Sequence, residues 1–326
     1  MSRPAIKDIA YKCGVSPSTV CRALNGKSDI NPKTRSLILD TCSAMGYVPN
    51  GAATRLRGQK SNLLSCIMHE GDNELLVEKI HYLRRFARES GFEWQLCPFR
   101  TQNERSELIR AMISTGVAGI ITDAGIDNAS LHLLKTNNIP IVAFDSDCES
   151  VDSVFLDRAA GIFAGMEYLI RGGSNRIVLL GANSKGIRMQ AYIKAYSKAT
   201  LRIDKNLIIT TPFGHDLFQY GYEQTLNLLE KLPFDAIFAV NDACAIGAIR
   251  ALKEKMVKIP EEVAIIGFDD IMVSKFFSPS LTTVQQPVKE MAKVTIELMK
   301  QRIEKPNATI NKSLHLTKLI LRESTY

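Results

Sequence analysis

Apolar positions along the first fifty residues recur at helical spacing. Ile6, Ile9, Ala10 and Cys13 fall at i, i+3, i+4 and i+7, one stripe of an amphipathic helix that Gly14 ends. Ser16 before Pro17 is a capping residue ahead of a first-turn proline, and Val20, Ala23 and Leu24 continue an apolar face, so a second helix follows at once. Its other face offers Ser18, Thr19, Cys21, Arg22 and Asn25 to solvent. Asn31-Pro32 repeats the cap signal for a third helix through Leu37, Ile38 and Met45, which stops at Gly46 and closes a small core. Two short helices at a tight turn are either a plain helical hairpin with a polar face or a helix-turn-helix whose second helix fits a DNA major groove. Tyr47-Val48-Pro49 reads as extended, and Asn50 caps GAATRLRG, which is too short to be a stable helix alone. Ala52, Ala53 and Leu56 share one side of it, with Arg55 and Arg57 beyond. It is either a linker or a segment that turns helical only against DNA or a second copy of itself.

From Leu63 the pattern changes to short, wholly apolar runs alternating with longer amphipathic segments. The runs are LLSCIM (63–68), WQLC (94–97), AGIIT (118–122), PIVAF (140–144), RIVLLG (176–181), LIIT (207–210), AIFAV (236–240) and VAIIGF (263–268). Strands apolar throughout are buried on both faces, which means parallel sheets covered by helices. Helical segments fill the gaps, from Leu76 to Gly91, from Leu108 to Gly116, and near 161–171, 189–200, 221–231 and 243–255. Such a βαβ array exceeds one small sheet and predicts two lobes with a cleft between them.

Charge decides between the two readings of the N-terminus. Residues 1–60 hold ten Lys or Arg against three acids, whereas the other 266 residues carry 31 of each, so the whole net charge of +7 sits on the small end. A basic module on a neutral body is the footprint of a phosphate-backbone binder, and it favours the helix-turn-helix. With 326 residues and 45% hydrophobic content the chain can bury a sizeable core and divide into two or three domains. No apolar stretch follows the first methionine and no apolar run approaches ~18 residues, so the expectation is a cytoplasmic protein without a membrane partner. The seven cysteines are scattered, which fits reduced thiols better than disulfides or zinc, and no metal or cofactor is expected.

KDIAYKCGVSPSTVCRALN, the GYVPN before a short hinge, NDACAIGAIRAL, VAIIGFDD and SPSLTTVQQP occur in this order across essentially the whole chain, and together they resemble the lactose-repressor (LacI) family of bacterial transcription regulators. The resemblance implies a small all-α helix-turn-helix headpiece (1–48), a hinge helix (49–60), and an α/β body. That body resembles a periplasmic sugar-binding protein, with two flavodoxin-like parallel-sheet subdomains, 61–157 with 287–314 and 158–286 with 315–326, joined by three crossovers. It implies homodimers, sometimes tetramers, on a pseudo-palindromic double-stranded operator, and control by a small-molecule effector, most simply a sugar, with a purine or other metabolite as the alternative.

Residue by residue, the resemblance puts base recognition on Pro17, Ser18 and Arg22, and phosphate contacts on Ser16, Thr19, Asn25 and Thr34, with Tyr47 beside them. Arg22 suits guanine, whose O6 and N7 a guanidinium can bridge. Proline at 17 brings no side-chain donor, and Cys21 replaces the family's usual serine with a weak thiol donor. In the hinge, Leu56 matches the residue that wedges into the minor groove, with Asn50 and Ala53 supporting it and Gly51 weakening the helix. The implied effector residues lie at strand ends facing the cleft: Asp145, Arg188, Asn241, Asp269 and Gln286, with Phe213 as an aromatic to stack on a sugar's apolar face. Ala191 stands where the family prefers glycine, and His69 and Asp72 are candidate contacts in a loop unlike the family's. For Asn241 and Asp269 the competing role is capping the next helix. Two other functional classes fit the sequence less well. An enzyme would need a motif such as G-x-S-x-G, a phosphate loop, G-x-G-x-x-G, H-E-x-x-H or C-x-x-C, and the sequence contains none of them. An exported solute-binding protein would not open with a basic headpiece.

Overall fold

The computed structural model describes residues 4–24, 29–47, 61–71, 73–182, 186–210 and 216–326. The chain divides into two compact units, residues 1–61 and 62–326.

In the first unit, α1 (Ile6–Cys13), α2 (Pro17–Leu24) and α3 (Pro32–Ala44) close around Ile9, Ala10, Val20, Ala23, Ile30, Ile38 and Cys42. Gly14 takes the left-handed conformation (φ +65°) that the turn needs. The Ser16 hydroxyl accepts the Thr19 amide at 3.1 Å and the Asn31 side chain accepts the Lys33 amide at 2.9 Å, so both predicted caps form. On α3 the buried positions are Ile38 and Cys42, while Leu37 is exposed, so only part of the expected stripe is core.

The second unit holds two six-stranded sheets. The first has the order β11-β5-β4-β3-β1-β2, with β1 (Leu63–His69), β2 (Glu93–Phe99), β3 (Gly119–Thr122), β4 (Ile141–Phe144), β5 (Asp152–Asp157) and β11 (Lys312–Leu316) all parallel. The second has the order β12-β10-β9-β8-β6-β7, with β6 (Ile177–Ala182), β7 (Ile208–Thr210), β8 (Ala236–Ala239), β9 (Ala264–Asp269) and β10 (Thr282–Gln285) parallel and β12 (Lys318–Ile320) antiparallel to β10. Eight strands coincide with the apolar runs. The other four were hidden from a reading that sought uniformly apolar stretches: β5 and β10 bury Asp152, Ser153, Thr282 and Thr283, and β11 and β12 are edge strands carrying lysines.

Helices cover both sheets: α4 (Glu74–Glu89), α5 (Gln102–Thr115), α6 (Asn128–Thr136) and α11 (Val288–Glu304) on the first, and α7 (Arg158–Arg171), α8 (Ile187–Lys198), α9 (Leu217–Leu229) and α10 (Asp242–Glu254) on the second. The chain crosses between lobes at Asp157–Arg158, returns through Gln286–Pro287 into α11, whose Met291, Ala292, Ile296 and Met299 complete the first lobe's core, and crosses again near Thr317. Because β11 pairs with β5 through Leu316, residues 315 and 316 belong to the first lobe, two residues beyond the expected boundary.

Two glycines set the position of one cleft wall. A Cβ on Gly221 would lie 2.1 Å from the Cys244 carbonyl oxygen, and one on Gly247 would lie 2.0 Å from that of Phe218. Only glycine lets α9 and α10 approach this closely. Leu75 and Tyr82 of α4 pack into the second lobe's core, joining the lobes across the cleft.

Candidate nucleic-acid face and interlobe site

On the first unit, α2 turns Pro17, Ser18 and Arg22 outward, with Thr19 and Cys21 half-buried beside them. The Ser16 hydroxyl lies 2.7 Å from that of Ser18 and 2.9 Å from that of Thr19, a small hydroxyl network at the helix start. Arg22 is ion-paired with Asp29, both about half exposed. Sequence reasoning missed this acid, since Asp29 lies beyond the end of α2, outside the helical pattern that placed Arg22. Thr34 and Tyr47 are half-buried, and Tyr47 packs on the helical core. Asn25, Asn50, Ala53 and Leu56 lie outside the described residues.

In the second unit the carboxyl ends of the strands carry the polar groups, as open α/β sheets require. Asp145, just after β4, has φ +60° and is nearly buried. Burial opposes its charge, but Lys79, whose Nζ stands 2.5 Å away, and Arg158 outweigh it and hold the carboxyl below its usual range. Both its oxygens are taken. Lys79 is itself a buried lysine on α4, and Arg158 opens α7 of the other lobe, so this cluster ties the lobes together.

Arg188, on the first turn of α8, lays its guanidinium over the Phe268 ring at 5.3 Å. Its Nε is buried without a hydrogen-bond partner among the described residues. Burial lowers its pKa, Asp269 and Asp145 support its charge, and Arg158 opposes it. Asp269, the last residue of β9, is buried, and its carboxyl is pushed up to about 7 by that burial and by the neighbouring Asp242, with Lys79, Arg188 and Gln286 pulling back. The Gln286 amide donates to it at 2.6 Å, while Gln286 Oε1 is buried and has no hydrogen-bond partner among the described residues.

Asn241 does cap α10, accepting the Cys244 amide at 2.9 Å, which leaves its Nδ2 to offer elsewhere. Asp269 caps no helix among the described residues and holds Gln286 instead. Asp242, next to Asn241, is a structural pillar: it accepts from the Ile271 amide (2.9 Å), the Ser274 hydroxyl (2.7 Å) and the Thr283 hydroxyl (2.5 Å).

Asn241 and Asp269 line a cavity of about 210 Å³ with Asn73, Glu74 and Leu75 of the first lobe and Phe218, Ala243 and Ile271 of the second. Arg188 thus lies within electrostatic reach of Asp145 and Asp269, Asp269 is bonded to Gln286, and Asp269 shares a cavity wall with Asn241, while Phe213 and Asp72 lie outside the described residues. His69 is drawn to Asp123 instead: its amide donates to that carboxylate at 3.0 Å, its Nδ1 lies 3.2 Å away, and its ring sits on Phe99. Lys79, Arg158 and Phe218 were not singled out from sequence. Lys79 sits in an ordinary amphipathic helix, and only the fold reveals that it points inward.

A larger cavity, about 360 Å³, lies at the opposite, amino-terminal ends of β4 and β5. Its ion pair, Asp152 with Arg302, is saturated by further bonds from Arg302 to the carbonyls of Pro306, Ala308 and Thr309, and its walls are otherwise mostly aliphatic.

Comparison with known proteins agrees with this architecture. The model of bacterial regulatory proteins of the lacI family matches residues 5–50, and that of the periplasmic binding protein-like domain matches residues 166–325. The chain is 30% identical over 300 residues to the HTH-type transcriptional regulator DegA of Bacillus subtilis, covering 89% of this chain and 88% of that one. It is 30% identical to the HTH-type transcriptional repressor PurR of Histophilus somni, over 91% and 92% of the two chains. Among solved structures, a complex of the transcriptional regulator CelR with cellobiose superposes with a TM-score of 0.71 at 25% identity over 99% of this chain and 100% of that one. The Lac repressor dimer bound to operator and an anti-inducer shares the fold, with a TM-score of 0.86 at 21% identity over 99% of each chain. A helical DNA-binding unit, two parallel-sheet lobes and relatives of this similarity over nearly the full length make the chain a member of the lacI family of DNA-binding transcriptional regulators.

Proposed function

We propose that this protein represses genes of carbohydrate use, binding operator DNA as a homodimer with an affinity set by a sugar-like effector held between its lobes. The observation that carries this reading is the set of unspent polar groups at the cleft. Arg188 Nε and Gln286 Oε1 lack hydrogen-bond partners among the described residues, and Asp269 and the Asn241 amide have capacity to spare. Together they offer the donors and acceptors that a polyhydroxylated ligand needs. Phe218, 44% exposed at the cavity, supplies an apolar face for a sugar ring, the part sequence gave to Phe213. The relative bound to cellobiose supports a carbohydrate over a purine.

In this reading Pro17, Ser18 and Arg22 meet base edges, Ser16, Thr19, Asn25, Thr34 and Tyr47 meet phosphates and sugars, and Leu56 wedges into the minor groove with Asn50 and Ala53 beneath it. Met272 and Phe276, 72% and 75% exposed on the second lobe, are apolar area of the kind a second copy covers. The reading puts the protein in the cytoplasm with the DNA and gives it no catalytic step. Effector and operator affinities are then coupled reciprocally through the dimer. The test is calorimetry of the full-length protein with a sugar panel, each with and without a duplex enriched by the protein from a random pool. A sugar whose affinity changes when the duplex is bound supports the reading, and identical affinities in both states contradict it.

A further inference from the structure

The cavity of about 360 Å³ lies at the amino-terminal ends of β4 and β5, the opposite end of the first sheet from the interlobe cleft, and the effector reading gives it no role. Its size falls in the range of small-molecule sites, about 300–1,000 Å³. One wall is held rigidly. Arg302, in the last turn of α11, spends all five of its N–H groups: two on Asp152, at 2.7 and 2.6 Å, and three on the carbonyls of Pro306, Ala308 and Thr309, at 3.1, 2.5 and 2.9 Å. These bonds pin the segment that joins α11 to β11 along the cavity. At the end of α6, the amides of Asn137, Asn138 and Ile139 already take the carbonyls of Leu133, Lys135 and Leu134. With these polar groups satisfied, a polyhydroxylated molecule would give up its water for little return. What the cavity offers is apolar contact from Leu131, Leu134, Ile139, Val151 and Ile310, and Ile310 is 46% exposed.

We propose that this cavity is a second small-molecule site, separate from the interlobe cleft, and that its ligand is an apolar carboxylic acid. The charge of the lining gives the second half of that identity. Two cations, Lys135 and Arg302, stand there against one acid, Asp152, and Arg302 and Asp152 cancel each other. Lys135 is left over, exposed in the last turn of α6 and without an ion pair among the described residues. One ammonium at the rim balances one negative charge, which suits a monocarboxylate. The aliphatic or aromatic body of the acid fills the cavity and covers Ile310, while its carboxylate stays at the rim on Lys135, partly in water. A neutral apolar molecule of the same shape would gain the burial but not the ion pair.

The test is titration calorimetry and thermal shift of the full-length protein with hexanoate, octanoate and 3-phenylpropionate beside the matching alcohols, 1-hexanol, 1-octanol and 3-phenyl-1-propanol. At least one acid is expected to bind, about fivefold more tightly than its alcohol, the advantage that an exposed ion pair can supply. Ile310→Trp, a substitution at a half-exposed position that fills the cavity, should abolish binding of acid and alcohol alike. Lys135→Gln should bring the acid down to the affinity of its alcohol and leave the alcohol unchanged. Melting curves of the two variants without ligand show that they fold. Equal affinity of acid and alcohol in the wild type, or an acid preference that persists in Lys135→Gln, overturns the carboxylate contact. Binding that survives in a folded Ile310→Trp overturns the seat, and neither heat nor a rise in melting temperature with any acid overturns the site.

Discussion

Asp269 turns burial into a measurable pH dependence. Its native pKa, pushed up to about 7, lies above the ~3.9 of an unfolded chain, so between these values the folded protein binds the extra proton and stability falls as pH rises, levelling off above pH ~7. Asp269→Asn removes that slope. Melting temperatures taken across this range should show a decline in the wild type that is smaller in the variant, and parallel curves would mean that the carboxyl is not held as described. Arg22 offers a second test. Its pair with Asp29 is half exposed and contributes only about 0–1 kcal/mol, so a base edge can displace it. Arg22→Ala should cost about 1–3 kcal/mol at the preferred duplex, whereas Asp29→Asn should tighten binding modestly by freeing the guanidinium, both read by fluorescence anisotropy. At this scale the sequence was informative where chemistry is local, as at Ser16, Asn31 and Gly14. It was silent on Lys79, Arg158 and Asp29, whose roles come from partners outside their own helix or strand.

Between elements, the contact of α9 with α10 depends on two missing side chains. Gly247→Ala drives a methyl against the Phe218 carbonyl, and the shift needed should cost about 1–3 kcal/mol and displace Phe218 from the cavity. Urea unfolding measures the first effect and weakened sugar binding the second; a variant as stable as the wild type would show that the helices are free to part. Eight of the parallel strands were legible because they are almost wholly apolar in sequence. Strands β5 and β10 were not, because Asp152, Thr282 and Thr283 are buried with satisfied hydrogen bonds and so look like loop residues in a one-dimensional pattern. The helix α11 is a different case: periodicity did not single it out, but the resemblance already placed residues 287–314 in the first lobe, where the helix packs.

For the whole molecule the claim is a division of labour, with a net charge of +7 confined to residues 1–60 and a neutral body carrying a cleft. Reciprocal coupling follows if the effector prefers one arrangement of the lobes, and the pairs that cross the cleft, Asp145 with Arg158 and the apolar contacts of Leu75 and Tyr82, are what such a preference would act on. The most direct measurement is the anisotropy of a labelled duplex with the full-length protein, from about 50 to 200 mM salt, with and without the sugar that calorimetry identifies. The account predicts a linear, steep fall of log affinity with log salt, and a displacement of the whole line when the effector is present. Indifference to duplex DNA at the lowest salt, or a line that the effector leaves unmoved, would contradict it.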